Sequence, residues 1–160
     1  MMTPEAAMQC IGQEKPEAMR TIEFWVEGDP KGKERPRANR FGRPYTPKNT
    51  LAYEKKIREA CEKQCPTRKA GFLGPVELEV WAYYRIPKST TKKARAFMLE
   101  GKSFPAKTPD GDNICKAVLD AINEVAFKDD KQVVEIAIKK RYTTTECPGV
   151  HVIVRYWPWP

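Results

Sequence analysis

Alternation of apolar and polar residues in four short segments constrains the fold of this chain more than any other feature. Ile22, Phe24 and Val26, for example, occupy every second position, so they lie on one face of a predicted strand. The predicted strands are Thr21–Glu27, Val76–Ile86, Val133–Tyr142 and Val150–Trp157. Because the last two are joined through a turn at Pro148-Gly149, they are expected to form a hairpin.

Helical periodicity occupies the intervals between these strands. One helix is predicted over Lys48–Lys63, a short basic one from the capping residue Thr90 or Thr91 to about Leu99, and a third over Asn113–Glu124. The inner side of the first helix is expected to carry Leu51, Ile57, Ala60 and Cys61. The order β, α, β, α, α, β, β predicts an α/β fold of α+β-like character, in which helices pack on one mixed sheet.

The length of 160 residues fits one domain, which is predicted over residues 21–160. Residues 1–20 show no clear periodicity and are expected to form a flexible extension. No apolar run approaches the roughly 18 residues of a membrane helix, so no membrane partner is expected. Five cysteines without paired spacing are typical of reduced thiols in a cytoplasmic protein.

Positive charge is concentrated in two segments and negative charge in a third. The net charge is +8, which indicates a polyanionic partner. Lys31–Arg58 holds ten basic and two acidic residues, and Arg85–Lys107 holds seven basic residues and one acidic residue. In Asp110–Glu135 the balance is reversed, with three basic and seven acidic residues. Cations that hold phosphates beside carboxylates that hold a metal are typical of nucleic-acid enzymes. Charged runs that are merely solvated are the simpler alternative.

Acidic residues bracket the third predicted helix. A single glycine separates Asp110 from Asp112, so the backbone turns freely there and both carboxylates approach one point. Lys116 and Asp120 follow Asp112 at steps of four, which places the three side chains on one helix face. The pair Asp129-Asp130 follows the helix, and a turn there is expected to fold this pair back onto the first.

This pattern suits a magnesium site. Mg²⁺ takes oxygen ligands and keeps several waters, so two or three carboxylates and a phosphate oxygen suffice. Lys116 is placed to orient a phosphate or a water, or to balance charge when no metal is bound. Ordinary structural roles are the alternatives: Asp112 as a helix N-cap, Lys116 in a surface ion pair, and Asp129 and Asp130 as turn residues.

The acidic segment also carries a specific motif. It reads Asp110-Gly-Asp112-Asn113-Ile-Cys-Lys116, then Asp120-Ala-Ile, then Asp129-Asp130-Lys-Gln132-Val-Val. In this motif, and in the proline- and arginine-rich segment after the first strand, the chain resembles the RusA family of Holliday junction resolvases. The resemblance covers about residues 21–157, and the acidic motif is its specific part.

The resemblance implies a homodimer that uses Mg²⁺, or Mn²⁺ as a substitute, to cut two strands of a four-way DNA junction symmetrically in recombination and repair. It assigns metal binding and catalysis to Asp110, Asp112 and Asp130, and an active-site lysine to Lys116. Further matches, expected to support these groups, are Asn113, Asp120, Asp129 and Gln132. Candidate contacts to DNA phosphates are Lys31, Lys33, Arg35, Arg37, Arg40 and Arg43.

Two other functions are compatible with the same residues. The first is a non-enzymatic nucleic-acid-binding protein whose acidic cluster is structural. The second is a metal phosphoesterase that acts on small substrates, although the basic segments argue against it.

Overall fold

A computed structural model describes residues 17–18, 20–65, 73–145 and 147–160. The predicted extension therefore lies almost entirely outside the described residues. The strands are β1 (Arg20–Glu27), β2 (Arg37–Ala38), β3 (Pro44–Tyr45), β4 (Val76–Tyr84), β5 (Val133–Tyr142) and β6 (Gly149–Tyr156). The helices are α1 (Lys48–Gln64), α2 (Lys92–Leu99) and α3 (Gly111–Ile122), and a short 3₁₀ helix (Asp130–Gln132) precedes β5.

Four of the strands form one mixed sheet in the order β1-β6-β4-β5. Strand β6 pairs antiparallel with both β1 and β4, whereas β4 and β5 are parallel and are connected through α2 and α3. The sheet and its three helices confirm the predicted fold class. None of the described helices is both long and apolar enough to cross a membrane.

The predicted hairpin of the last two strands is wrong, because β4 lies between β5 and β6. Strand β6 instead pairs along its whole length with β1 on one side and with β4 on the other, so both of its edges are hydrogen-bonded. The chain leaves β5 beside the end of β4, where the backbone N–H of Thr143 donates to the carbonyl of Tyr84 at 2.8 Å. It then crosses that end of the sheet and returns as the inner strand β6.

Helices α1 and α3 pack against each other and cover one face of the sheet. The buried side of α1 carries Tyr53, Ile57 and Cys61, spaced four residues apart. Leu51, predicted on this side, is instead 52% exposed, because it precedes Tyr53 by two residues and thus lies about 200° around the helix axis. The core also buries Thr50, a polar residue that hydrophobic periodicity does not single out.

Charged and aromatic side chains occupy the opposite face of the sheet. The carboxylate of Glu79 accepts hydrogen bonds from Trp81 Nε1 and Arg155 Nη1, each at 2.8 Å, and from Lys139 Nζ at 2.5 Å. The Lys139 ammonium also lies 4.3 Å from the centroid of the Trp81 ring. Glu79 is therefore a nearly buried anion held by two cations, which makes its charge state important for stability.

The basic segment, residues 28–45, follows β1. It is extended and ends in the small antiparallel hairpin of β2 and β3. Its turn closes through two hydrogen bonds of 2.9 Å, from Asn39 N to Arg43 O and from Gly42 N to Asn39 O. Gly42 has a φ of 72°, a conformation that glycine adopts readily.

Candidate active site

The predicted metal-binding residues Asp110 and Asp112 lie at the N-terminus of α3. Asp110, rather than Asp112, occupies the N-cap position, and its side chain makes no capping hydrogen bond to the helix backbone. Asp112 lies in the first turn, where the helix dipole stabilises a negative charge. Both side chains are exposed, so these carboxylates are accessible to a ligand.

Lys116 lies one turn after Asp112 and pairs with it. Its Nζ donates to Asp112 Oδ2 at 3.1 Å, and the two side chains are 60% and 64% exposed. This hydrogen bond lowers the pKa of the Asp112 carboxyl below its usual value. The predicted surface ion pair is present, and its position agrees with the predicted charge-balancing role of the lysine.

The basic segment is attached to α3 through an ion pair. Lys33 donates to the carboxylate of Asp120 and lies 3.8 Å from Glu54 on α1. The hydrogen bond to Asp120 raises the pKa of Lys33, and burial raises the pKa of Glu54. Lys33, a predicted phosphate contact, therefore links two helices in the structure, and Asp120 serves as its anchor.

Gly32 lets this segment approach α3 closely. The backbone N–H of Lys33 donates to the carbonyl of Asn113 at 2.9 Å. A Cβ atom at Gly32 would lie 2.9 Å from the Cβ atoms of both Asn113 and Pro109, a distance that real Cβ contacts do not show. Only glycine fits here without displacement of a neighbour.

Replacing Gly32 with alanine is expected to move the basic segment away from α3. The overpacking should lower the free energy of unfolding by about 1–3 kcal/mol. Because Lys31 and Lys33 flank this position, affinity for branched DNA should also fall, by about 5- to 10-fold. Chemical denaturation and a gel-shift titration measure the two effects. Unchanged values in both would show that the close approach is unimportant.

A cleft of about 370 Å³ separates the basic segment from the start of α3. Lys31, Lys33 and Asp110 are among its lining residues. Two lysines outside the predicted set, Lys107 and Lys140, lie at the same end of the helix. The ammonium groups of both lie near the ring of Tyr84, and Lys140 Nζ donates to the carbonyl of Pro109 at 3.1 Å. Sequence reasoning missed Lys140; the run Lys139-Lys140-Arg141 within a strand was the available signal.

Asp129 and Gln132 stabilise the 3₁₀ helix before β5. The Asp129 side chain accepts from the N–H of Lys131 at 3.0 Å, while Gln132 Oε1 accepts from the N–H of Asp129 at 3.0 Å. This reciprocal arrangement is a capping box. The hydrogen bond from the Lys131 backbone also lowers the pKa of Asp129. Asp129 and Gln132 therefore stabilise a turn of the backbone. For Asp129, this is the structural role that was named above as the alternative to a role in the metal site.

Asp130 is exposed at the start of the 3₁₀ helix, far from the other two predicted metal ligands. It precedes the first residue of β5, whereas Asp110 and Asp112 lie beside the other end of that strand, next to Ile138 and Lys140. The twelve residues of α3 span about 18 Å between the two acidic groups.

The expectation that the second acidic pair folds back onto the first is therefore wrong within one chain. Among the residues that the structure describes, no three His, Cys, Asp or Glu side chains are placed to hold one metal ion. Asp110 and Asp112 supply the hard oxygen donors that Mg²⁺ prefers, but a site of three carboxylates is not assembled in a single chain.

The arginines of the basic segment are exposed. Arg35 and Arg43 extend into solvent around the β2–β3 hairpin, Arg40 stacks on the ring of Phe41 at 4.6 Å, and Arg37 pairs with Glu34 at 3.1 Å. Their contact with DNA phosphates stays a prediction.

Comparison with known proteins agrees with the acidic motif. A family model described as endodeoxyribonuclease RusA matches residues 27–155, which include the basic segment and both acidic groups. The chain is also 33% identical over 142 residues to Uncharacterized protein YqaN of Bacillus subtilis (strain 168). That match covers 86% of this chain and 97% of the relative.

Proposed function

Because the chain belongs to the RusA family of endodeoxyribonucleases, we propose that it resolves four-way DNA junctions as a homodimer, through paired symmetric nicks that require Mg²⁺. Family membership makes it a Holliday junction endonuclease, so neither the non-enzymatic alternative nor a small-substrate phosphoesterase is supported. The proposed setting is recombination and repair in the cytoplasm, where the four described cysteines, all free thiols, would stay reduced.

The observation that carries the proposal is the position of two exposed carboxylates beside a cleft lined by lysines. Lys31 and Lys33 form one side of that cleft, and Asp110 forms part of the other. A phosphodiester bound there would meet cations that neutralise it and, adjacent to them, oxygen ligands for a metal. This arrangement supports DNA hydrolysis rather than DNA binding alone.

Each residue has a distinct part in the proposed reaction. Asp110 and Asp112 would hold the ion, and Mn²⁺ would substitute because it also takes oxygen ligands. Bound Mg²⁺ lowers the pKa of a water and stabilises charge on the phosphate. Lys116 compensates the charge of Asp112 in the free protein, and Lys33 keeps the basic segment against α3 through Asp120.

A four-way junction labelled on each strand in turn tests this function directly. With Mg²⁺, nicks are expected at symmetric positions on two opposing strands, and excess chelator should abolish them. A linear duplex of the same sequence serves as the control and should stay intact. Absence of metal-dependent nicks across junctions of varied sequence would overturn the proposal.

Phosphate contact by the arginines makes a separate prediction. Arg35→Gln and Arg43→Gln should each weaken junction binding and reduce the slope of log K against log salt by about 1. The rate of nicking at saturating protein should change little, because these side chains lie outside the acidic groups. Arg58→Gln on α1, where the arginine pairs with Glu62 at 3.5 Å, is the matched control. An unchanged slope would exclude Arg35 and Arg43 as phosphate contacts.

A further inference from the structure

We propose that the sheet face opposite the helices binds an unpaired DNA strand, whose bases stack on aromatic rings at the end of the sheet near Asp110. This inference rests on the proposed function for the nature of its partner, but the surface lies outside the acidic site and the basic segment. Three features carry it: a tryptophan that lies flat on the sheet, an arginine held between two rings, and the position of both beside the cleft.

Trp25 of β1 provides a ring on which a base can stack. Its indole lies directly over Gly149 of β6, where a Cβ atom would overlap the ring atoms Cζ2 and Cη2. One face of the ring therefore rests on the backbone of β6. Because Trp25 is still 43% exposed, its outward ring face is accessible to a planar partner.

Two further rings extend this surface onto β4. The ring centroids of Tyr83 and Trp25 lie 5.7 Å apart, and those of Trp81 and Tyr83 lie 6.3 Å apart with planes inclined by 11°. Trp81 and Tyr83 are partly exposed, since α1 and α3 cover the other face of the sheet. The three rings form one aromatic surface, and unpaired bases stack on such surfaces with little dependence on sequence.

A hollow of about 250 Å³ adjoins the rings of Trp25 and Tyr83. Thr144 and His151 also line it, and hydroxyl and imidazole groups can form hydrogen bonds with the edge of a base. A base stacked on Trp25 would therefore meet polar groups beside the ring. This combination fits a nucleobase better than a purely apolar partner.

Arg141 of β5 supplies positive charge for a phosphate. Its guanidinium lies 5.4 Å from the ring centroid of Trp81 and 4.6 Å from that of Phe104, so it is held between two rings. The neighbouring Lys139 is paired with Glu79. Among the described residues no carboxylate forms an ion pair with Arg141, whose guanidinium donates instead to a backbone carbonyl at 2.9 Å. Its charge is therefore available to a phosphate.

The rings lie at the same end of the sheet as Asp110. Lys140 and Arg141 are consecutive in β5, so their side chains lie on opposite faces of the sheet. Lys140 Nζ donates to the carbonyl of Pro109, next to Asp110, whereas Arg141 contacts Phe104 on the other face. The loop from Phe104 to Pro109 thus passes around the end of β5. A strand that leaves the cleft past Lys140 would follow this loop to the rings.

Acidic residues limit the surface at the other end of the same face. Glu77 and Glu79 of β4 lie there, with Glu135 of β5 opposite Glu77. Their carboxylates repel phosphates, which restricts a bound strand to the end with the rings. The partner is an unpaired strand and not a duplex, because the flat faces of paired bases are covered by their neighbours.

Binding of a labelled oligothymidylate of about 12 nucleotides, in excess chelator, tests the surface without cleavage. Trp25→Leu keeps an apolar side chain but removes the ring, so it should weaken binding by about 5- to 30-fold in fluorescence anisotropy. Trp25→Phe keeps a ring and should retain most of the affinity. Trp159→Leu, which changes a tryptophan that is 63% exposed outside this face, is the matched control and should bind as the wild type does.

Arg141→Gln gives a second readout on the same oligonucleotide. It should weaken binding and reduce the slope of log K against log salt by about 0.7, the value for one phosphate contact on a single strand. Neither Arg141→Gln nor Trp25→Leu should change the affinity for a blunt duplex, because the proposed duplex contacts lie on the basic segment. Chemical denaturation verifies that each variant is folded.

The outcomes separate this inference from the proposed function. If the wild type makes no nicks but Trp25→Leu still weakens oligothymidylate binding, the proposed function fails and the stacking surface is supported. A wild type that does not bind the oligonucleotide, or that binds it no more tightly than Trp25→Leu does, would overturn the surface even if junctions are nicked. An equal loss with Trp159→Leu would overturn it too. So would a Trp25→Leu variant of changed mass in light scattering and unchanged affinity, since the face would then join two copies of the chain.

Discussion

Replacing Asp112 with asparagine is expected to lower the rate of junction nicking by about 10²–10³-fold, which corresponds to about 3–4 kcal/mol in activation free energy. The amide keeps the size of the side chain but removes the negative charge that would hold the metal. Junction binding should stay the same or become tighter, because an exposed negative charge disappears from a phosphate-binding surface. Single-turnover cleavage and gel-shift titration at the same salt concentration separate the two effects.

A matched charge change distinguishes this loss from a general effect of net charge. Glu59 on α1 is 57% exposed and pairs with Lys55 at 3.7 Å, so Glu59→Gln also removes one exposed acid from an i,i+4 pair. This variant should nick junctions at the wild-type rate. If Asp112→Asn loses binding and cleavage in equal measure while it remains folded, Asp112 acts through DNA affinity and not through the chemical step.

The faces of the strands and helices were predictable because burial follows periodicity. Ile22, Phe24 and Val26 point to the core as alternation requires, and Ile114 and Val118 do so as helical spacing requires. Neighbours in the sheet were not predictable on the same basis. Alternation determines which face a residue occupies, but any strand with the same pattern can pair on either side, so the insertion of β6 between β1 and β4 has no local signal.

The acidic site illustrates a second limit of sequence reasoning. The residue types and their positions around α3 predicted the chemistry, and the family match agrees with it. The distance between the two acidic groups was misjudged, because α3 is a rigid helix of twelve residues whose two ends lie about 18 Å apart. The chain after α3 continues into the 3₁₀ helix and β5 and does not run back along α3, so Asp130 stays apart from Asp110 and Asp112 within one chain.

Lys33 shows how tertiary contacts give a residue a second role that its sequence context does not reveal. Within a run of basic residues it reads as a phosphate ligand, yet in the fold it pairs with Asp120 from a distant part of the chain. Such pairs depend on which helices pack together, and local sequence carries no information about that. Arg35 and Arg43 remain exposed, so their contact with phosphate stays a prediction.

Acid is expected to destabilise the fold through Glu79. Its hydrogen bond from Lys139, helped by those from Arg155 and Trp81, lowers the pKa of the carboxyl from 4.5 to about 2. A group whose pKa is lower in the folded state stabilises the fold above its unfolded pKa, and this contribution is lost as the pH falls toward the folded pKa. The relevant window therefore runs from about pH 4.5 down to about pH 2.

Glu79→Gln should lower the free energy of unfolding by about 2 kcal/mol at pH 7. The pKa change alone corresponds to about 3 kcal/mol, and we reduce it because Lys139 is 37% exposed and solvent screens the pair. Urea denaturation at pH 7, 5, 4 and 3 should show the wild-type advantage shrinking below about pH 4.5, while other titrating groups cancel in the comparison. Glu59→Gln, the exposed control, should change stability by less than about 0.5 kcal/mol at every pH. An advantage that stays constant down to pH 3 would mean that Glu79 contributes through packing and not through its charge.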